Sequence, residues 1–357
     1  TGPVHKVVVS GDGNRIAIAT QDCGLALYDG RELVPQISHR CFSHFGPASA
    51  AFSANGSLLA APLDEFSVFV LDTGTGETAS HYFGHRGRVL AIAFSPTGDT
   101  IVTGGRDGTA RVWEARSCKE QLVLRGHTDR LLCVAFSPDG TLLATGANDN
   151  TVRLWDAKTG AELHVLARHA DCVNDVAFDG DGSHLLSASN DGSVVCWDVE
   201  SGEPSYQLVG HGDEVISARF SPDGARILTA SYDETVRIWE TGTGDELVTL
   251  ASGDHPFLDA QFLQDSRSML AAGWDGRVTA HFAGPWRMEQ LNATPGSTLR
   301  ERYAAAKASR LGERWPQQER LAMRAAIVHT TGERARERLE RLVGLLGQPE
   351  PAPSSQA

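Results

Sequence analysis

The chain predicts a mainly β fold: a ring of seven four-stranded sheets, a β-propeller, followed by a small α-helical C-terminal extension. Three observations predict it. Acidic turn residues recur at 107, 149, 191, 233 and 275, a constant step of 42 residues, and a fixed period of this length signals a repeat architecture. Each period holds four short runs of β-forming residues between turn signals. After residue 297 the apolar spacing changes from 2 to 3.6, which marks a passage from strands to helices.

The clearest unit is GHTDRLLCVAFSPDGTLLATGANDNTVRLWD at 126–156. Together with the ELHVL that follows, it supplies the runs LLCVAF, LLATGA, TVRLWD and ELHVL, separated by SPDG, NDN and AKTG, and reads as a four-stranded meander. Such a sheet cannot bury both faces alone, so neighbouring units must stack against it. A ring of them leaves only short, protected edges. Full copies also occupy 84–114, 168–198 and 210–240.

Three weaker copies complete the ring. Blade 1 uses VHKVVVS, RIAIAT, GLALYD and a last strand near 31–38, where Pro35 suits an outer edge that tolerates a missing N–H. Blade 2 runs through SAAFSANGSLLAAPLDEFSVFVLD, and blade 7 through LDAQFLQDSRSMLAAGWDGRVTAHF followed by WRMEQL. The predicted propeller spans 1–297, with blades near 4–38, 39–83, 84–125, 126–167, 168–209, 210–251 and 252–297.

Beyond it, T-L-R-E at 298–301 fits a capping box with Thr298 as N-cap, opening a helix to about Leu311. Pro316 favours the start of a second, to about His329. Thr331 caps a third to 346, whose Leu339, Leu342, Val343 and Leu346 form one apolar stripe. The three helices span 298–347, and 348–357 reads as a disordered tail. The extension needs cover, which either the propeller or a partner could give; deleting 298–357 would destabilise the ring in the first case only.

The formal charge is −13, and residues 1–297 carry 21 basic and 38 acidic side chains against 11 and 7 in 298–357. An acidic body argues against general nucleic-acid affinity, which needs a clustered basic face. The longest apolar runs fall short of a membrane span, and no signal-peptide pattern opens the chain. The expectation is a soluble, cytoplasmic protein that binds neither nucleic acid nor membrane. Cys23, Cys41, Cys118, Cys133, Cys172 and Cys196 show neither a C-x-x-C pair nor zinc spacing and read as reduced thiols.

Within the opening unit, strand pairing brings together His127, Thr145, Asp149 and Trp155. A hydroxyl, a His and an Asp can form a catalytic triad. The same set recurs, however, as His85, Thr103, Asp107 and Trp113; as His169, Ser187, Asp191 and Trp197; and as His211, Thr229, Asp233 and Trp239. An active site is not normally built four times in one ring, whereas a buried Asp, His, hydroxyl and indole N–H satisfy one another. The tetrads therefore read as internal braces. In blades 1, 2 and 7, Tyr28, Leu71 and His281 stand where Trp belongs, and Ile18, Ala61 and Ala271 replace the hydroxyl, so these blades must rely on packing.

The G-H opening, the F-S-P-D-G turn, the turn Asp and the closing W-D resemble the WD-repeat family of β-propellers, over about 1–297. The resemblance implies partner contacts on one rim of the central channel, from the residue before each turn Asp and from the third and fifth residues after each His. The first set is Arg106, Asn148, Asn190, Tyr232 and Trp274. The second is Arg88, Leu90, Arg130, Leu132, Cys172, Asn174, Glu214 and Ile216, with Leu258 if blade 7 keeps the spacing. Arg, Tyr and Trp are enriched at interface hot spots, so an Arg/Leu sector on blades 3 and 4 and an aromatic one on blades 6 and 7 predict a protein or peptide partner with acidic and apolar residues. The bland alternative is that these side chains only plug the channel. In many family members an N-terminal segment closes the ring by supplying the last blade's outer strand; here three residues precede the first predicted strand, which leaves that closure in question.

No G-x-x-x-x-G-K-[ST], H-E-x-x-H or G-x-S-x-G occurs, and no cofactor or metal site is expected. His39, His44, His81 and His85 cluster loosely along blade 2 without ligand spacing. The reading is a non-catalytic interaction scaffold, a subunit of a larger complex. The competing reading is an enzyme or metal-dependent activity at the channel mouth or in a propeller–tail groove, and perturbed acids, bases or metal ligands outside the tetrads would distinguish it.

Overall fold

The structure is a computed structural model that describes residues 4–10, 15–20, 24–29, 35–40, 49–62, 66–251, 255–262, 266, 268–276 and 278–282. Seven antiparallel sheets follow one another along the chain. Sheet 1 holds β1 (Val4–Val9), β2 (Arg15–Thr20), β3 (Gly24–Asp29) and β4 (Pro35–Arg40); sheet 2 holds β5 (Ala51–Phe52), β6 (Leu58–Pro62), β7 (Ser67–Asp72) and β8 (Thr78–Phe83). Sheet 3 holds β9 (Val89–Phe94), β10 (Thr100–Gly105), β11 (Thr109–Glu114) and β12 (Glu120–Arg125); sheet 4 holds β13 (Leu131–Phe136), β14 (Leu142–Ala147), β15 (Thr151–Asp156) and β16 (Glu162–Ala167). Sheet 5 holds β17 (Val173–Phe178), β18 (His184–Ser189), β19 (Ser193–Asp198) and β20 (Pro204–Val209); sheet 6 holds β21 (Val215–Phe220), β22 (Arg226–Ser231), β23 (Thr235–Glu240) and β24 (Glu246–Ala251). Sheet 7 has three strands among the described residues: β25 (Phe257–Phe262), β26 (Ser268–Gly273) and β27 (Val278–Phe282). The predicted fourth strand, the helices at 298–347 and the tail at 348–357 lie outside the described residues.

Inner strands pack edge against edge around the ring: β9 meets β13, β13 meets β17, β17 meets β21 and β21 meets β25, while β1 meets both β5 and β25. Among the described residues, the joint between sheets 7 and 1 is formed by β1 against both β25 and β26. Lys6 Nζ donates to Asp259 Oδ1 at 3.0 Å and Gln261 Nε2 to the Val7 carbonyl at 3.1 Å. The first sheet extends past the predicted boundary at 38, because His39 and Arg40 still pair with Leu25 and Gly24. Ser38, His39 and Arg40 offer no apolar alternation that would have marked that end.

The second strands of sheets 3 to 6 bury every residue after the first, since they lie inside their sheet with a neighbour on each face. The core accordingly lies between sheets: Cys133, Ala144, Leu154 and Leu166 of sheet 4 pack with Val173, Val176, Leu185 and Trp197 of sheet 5. Where the hydroxyl and Trp are missing, apolar side chains fill the place; Ile18, Ala61, Leu71 and Ala271 are at most 1 % exposed. Leu71 lies opposite Leu59 just as Trp155 lies opposite Leu143.

Toward the outside of sheets 3, 4 and 6, a cross-strand ion pair runs from β11, β15 or β23 to the outer strand. These pairs are Arg111–Glu120 at 2.5 Å, Arg153–Glu162, and Arg237–Glu246 at 2.7 Å. They explain the Gly of each G-H opening. A Cβ at Gly126 would stand 2.6 Å from Arg153 Nη1 and 3.0 Å from the Trp155 ring. Sheet 5 supports this: it carries Arg168 in place of the glycine, and Val195 and Pro204 in place of the ion pair. Gly126→Ala is therefore expected to cost about 1 kcal/mol, a modest overpacking effect, and Arg153→Val introduced first is expected to remove most of that cost. A double-mutant cycle by urea unfolding checks this; additive losses would contradict it.

Candidate functional site: the channel mouth

The four tetrads are closed hydrogen-bond chains. In sheet 4, Trp155 Nε1 donates to Thr145 Oγ1 at 2.9 Å, Thr145 Oγ1 lies 2.8 Å from His127 Nε2, and His127 Nδ1 lies 2.9 Å from Asp149 Oδ2. Because the Asp149 carboxylate can only accept, the ring proton of the neutral imidazole sits on Nδ1 and is donated to it, which leaves Nε2 to accept from the Thr145 hydroxyl while that hydroxyl accepts from the indole. The corresponding indole–hydroxyl distances are 2.9, 2.8 and 2.9 Å for Trp113–Thr103, Trp197–Ser187 and Trp239–Thr229. His85, His169 and His211 reach Asp107, Asp191 and Asp233 at 3.1, 2.9 and 2.8 Å, and their Nε2 atoms lie 2.8, 2.7 and 2.7 Å from the hydroxyls of Thr103, Ser187 and Thr229.

Each chain has members that the tetrad pattern missed. The hydroxyls of Thr109, Thr151, Ser193 and Thr235 donate to the turn carboxylates at 2.7, 2.7, 2.7 and 2.6 Å. The backbone N–H after each His does the same: Arg86 at 2.8, Thr128 at 2.9, Ala170 at 3.0 and Gly212 at 3.0 Å. A repeated D-x-[ST] at the turn was the available signal. The residue between them adopts left-handed φ, as Gly108 (72°) and Gly192 (82°) but also as Asn150 (66°) and Glu234 (65°).

These bonds set the titration of the braces. Burial acts to raise the Asp233 carboxyl, but donors from Thr235, Gly212 and His211 outweigh it and hold the carboxyl at about 2. Asp107, Asp149 and Asp191 are likewise held low against burial by their donors. His127 and His211 are pushed below the usual imidazole value, chiefly by burial, against the pull of their Asp partners. Both groups act in one direction. As pH falls below about 6.5 the unfolded histidines take up protons before the folded ones do, and below about 4 the unfolded carboxylates do the same. Stability is therefore expected to fall on acidification, first through the histidine window and then through the carboxylate one. Melting temperature measured from pH 7.5 to 3.5 checks this; a flat profile between 6.5 and 4.5 would contradict the histidine part.

Beside the braces lies the mouth. The N–H groups of Arg106, Asn148, Asn190, Tyr232 and Trp274 donate to the carbonyls of Arg88, Arg130, Cys172, Glu214 and Pro256 at 2.8, 2.9, 3.0, 2.9 and 2.9 Å. The residue before each turn Asp is thus bonded to the third residue after the His in sheets 3 to 6, and to Pro256, which was not among the predicted contacts, in sheet 7. The fifth pair shows that sheet 7 keeps the 42-residue step, so Leu258 takes the place held by Leu90, Leu132, Asn174 and Ile216. Every predicted contact residue except Arg88 and Arg106 lines a central channel of about 840 Å³. Arg88 and Arg106 stand outside that lining, on the rim, and Leu258 is buried in the wall.

Sheets 4 and 5 tie their mouth residues together. Arg130 Nη2 donates to Asn148 Oδ1 at 3.3 Å, Asn148 Nδ2 to Asp129 at 2.7 Å, and Asn174 Nδ2 to Asn190 Oδ1 at 2.6 Å. Tyr232 and Trp274 meet edge-on, ring centres 6.3 Å apart at 88°, and Trp274 is 43 % exposed. Deeper in the channel wall, Asp175 on β17 pairs with Arg219 on β21. The Cys172 thiol is pushed up to about 11 by burial and by Asp171, so it stands as a thiol and not as a reactive thiolate. Cys118 and Cys172 are free and half-buried, Cys133 and Cys196 free and buried. Of the blade 2 histidines, His85 is taken up in a brace and His81 lies 3.2 Å from Ser67 Oγ. His44 and the side chain of His39 lie outside the described residues. No helix among the described residues is long and apolar enough to cross a membrane.

The family described as WD domain, G-beta repeat matches residues 76–114, 118–156, 160–198 and 202–240. Each matched unit begins at or before an outer strand and ends with the third strand of the next sheet, so it straddles one joint of the ring. Among curated proteins, the chain is 32% identical over 102 residues to guanine nucleotide-binding protein subunit beta-5b of Danio rerio, covering 28% of this chain and 26% of that one. It is 28% identical over 123 residues to the U5 small nuclear ribonucleoprotein 40 kDa protein of Dictyostelium discoideum, 34% of each chain. It is 35% identical over 118 residues to an uncharacterized WD repeat-containing protein of Synechocystis, 32% of this chain and 33% of that one. The chain thus spans about a quarter to a third of the length of these relatives. With four matched units and seven sheets in a ring, the chain belongs to the WD-repeat family of β-propellers.

Proposed function

We propose that the protein is a non-catalytic interaction scaffold that holds a protein or peptide partner on the channel-mouth face, as a subunit of a larger complex. One observation carries this reading. The braces repeat the same residue types in four sheets, while the bonded rim positions beside them change from Arg to Asn, Tyr and Trp around an open channel. A scaffold needs the first, and selective contact needs the second. Two relatives, a subunit of a guanine nucleotide-binding protein and a small nuclear ribonucleoprotein protein, are by name assembly components, which supports the subunit role. The four cysteines among the described residues are free thiols, which fits a reducing compartment.

The Arg sector suits acidic residues of the partner, and Leu90, Leu132, Ile216 and the aromatic pair suit apolar ones. The Arg88/Tyr232/Trp274 triple alanine variant is expected to keep the parent melting temperature and to lose a natural partner recovered from the native host by the parent chain, about 1,000-fold in affinity if two hot spots are lost. Unchanged affinity in that variant would overturn the reading.

A further inference from the structure

Charge at the mouth is uneven: sheet 3 carries arginines only, sheet 4 carries Arg130 beside Asp129, whose carboxylate accepts from Asn148 Nδ2 at 2.7 Å, and sheets 5 and 6 carry acids only. Arg88 and Arg106 stand on the rim of sheet 3, and Arg130 lines the channel at sheet 4. On sheets 5 and 6 the same rim carries Asp171, Asp213 and Glu214. Among the described residues none of these three forms an ion pair. Their bonds are local, Asp171 accepting from the Cys172 N–H at 2.7 Å and Asp213 from the Glu214 N–H at 2.8 Å. Next to this acidic arc stands the aromatic pair. The Tyr232 N–H donates to the Glu214 carbonyl at 2.9 Å, and Tyr232 and Trp274 form a right-angled corner open to the channel.

An exposed aromatic corner beside unpaired carboxylates is a site for a cation: ring faces attract positive charge, and the carboxylate accepts its N–H groups. Guanidinium fits better than ammonium, since its flat face stacks on a ring while its edge donates to a carboxylate. Burial, with Asp213 and Asp171, raises the Glu214 carboxyl, and after burial Glu214 and Asp213 raise the Tyr232 phenol. Both effects mark negative charge at this corner that a bound cation would relieve.

The geometry points to a partner segment of two charges: an acidic residue on the Arg88/Arg106/Arg130 arc and, in the same stretch, an arginine whose guanidinium lies in the Tyr232/Trp274 corner against Glu214. This inference rests on the reading of the mouth as the partner surface. It adds the sign and order of charge around the ring, with apolar partner residues in between, over the Leu132 and Ile216 side.

A displayed library of random 12-residue peptides, panned on the full chain, tests it. Enriched peptides are expected to carry Arg together with Asp or Glu. For one such synthetic peptide, Glu214→Gln is expected to weaken binding about tenfold with an unchanged melting temperature, and replacing the peptide's Arg by citrulline to weaken it similarly, the two changes together costing little more than either alone. Enriched peptides with acidic and apolar residues but no Arg, bound equally by Glu214→Gln, would overturn this inference and leave the mouth reading standing. Peptides bound equally by the Arg88/Tyr232/Trp274 triple alanine variant, or no enrichment at all, would overturn both.

Discussion

Asp149→Ala is expected to lower the free energy of unfolding by about 3 kcal/mol, because one truncation strands several donors at once. The Asp149 carboxylate accepts from His127 Nδ1, from the Thr128 N–H at 2.9 Å, and from Thr151 N–H and Oγ1 at 3.1 and 2.7 Å. The His127 side chain is 1 % exposed, so water cannot replace the lost acceptor on that side. Only the Thr151 hydroxyl, 3.3 Å from Nδ1, remains near it, and because a hydroxyl can donate or accept, the tautomer that lets Thr145 and Trp155 complete the chain is no longer fixed. Asp149→Asn, which keeps an acceptor oxygen, is expected to lose less. Urea unfolding of both variants is the check, and melting temperatures equal to the parent's would remove the brace from the account.

Asp259→Ala is expected to cost a similar amount, about 2–3 kcal/mol, because the carboxylate is buried with two donors while the Lys6 ammonium left behind is partly open to solvent. Asp259 is 6 % exposed and Lys6 25 %; Ser217 Oγ also donates to the same carboxylate at 3.3 Å. The pair lies where β1 meets β25, 253 residues apart in the chain, so its loss strikes the joint that closes the ring. The double variant Lys6→Met/Asp259→Leu is expected to recover most of the stability, since an apolar pair of similar volume removes both desolvated charges. A single variant as stable as the parent, or a double variant no better than the single, would contradict an electrostatic latch at this joint.

Much of this was legible in the sequence because it repeats. The 42-residue step set the seven units and put His127, Thr145, Asp149 and Trp155 in register before any contact was known. Thr151 and its counterparts escaped notice, although D-x-[ST] repeats as faithfully as the tetrad, because a turn hydroxyl reads as ordinary turn chemistry. The two rim sets could be numbered, but not their depth: the spacing that names Leu258 does not say that neighbouring strands bury it, nor that Arg88 and Arg106 fall outside the channel lining. Pairs that occur once were not legible at all. Lys6 with Asp259 and Asp175 with Arg219 join different sheets, and no period points to a contact made at a single joint. The replacement of Gly126 by Arg168 in the next unit has its cause in the ion pair that sheet 5 lacks.

The molecule divides into a braced scaffold and a rim that differs from sheet to sheet, and one comparison separates them. The affinity of a partner captured by the parent chain is measured against the Arg88/Tyr232/Trp274 triple alanine variant and against Asp149→Ala, each at a temperature where the variant is folded. Loss of binding in the first with parental stability, and near-parental binding in the second despite its lowered melting temperature, is the predicted result. Full binding by the triple variant, or selective loss of binding in folded Asp149→Ala, would contradict it.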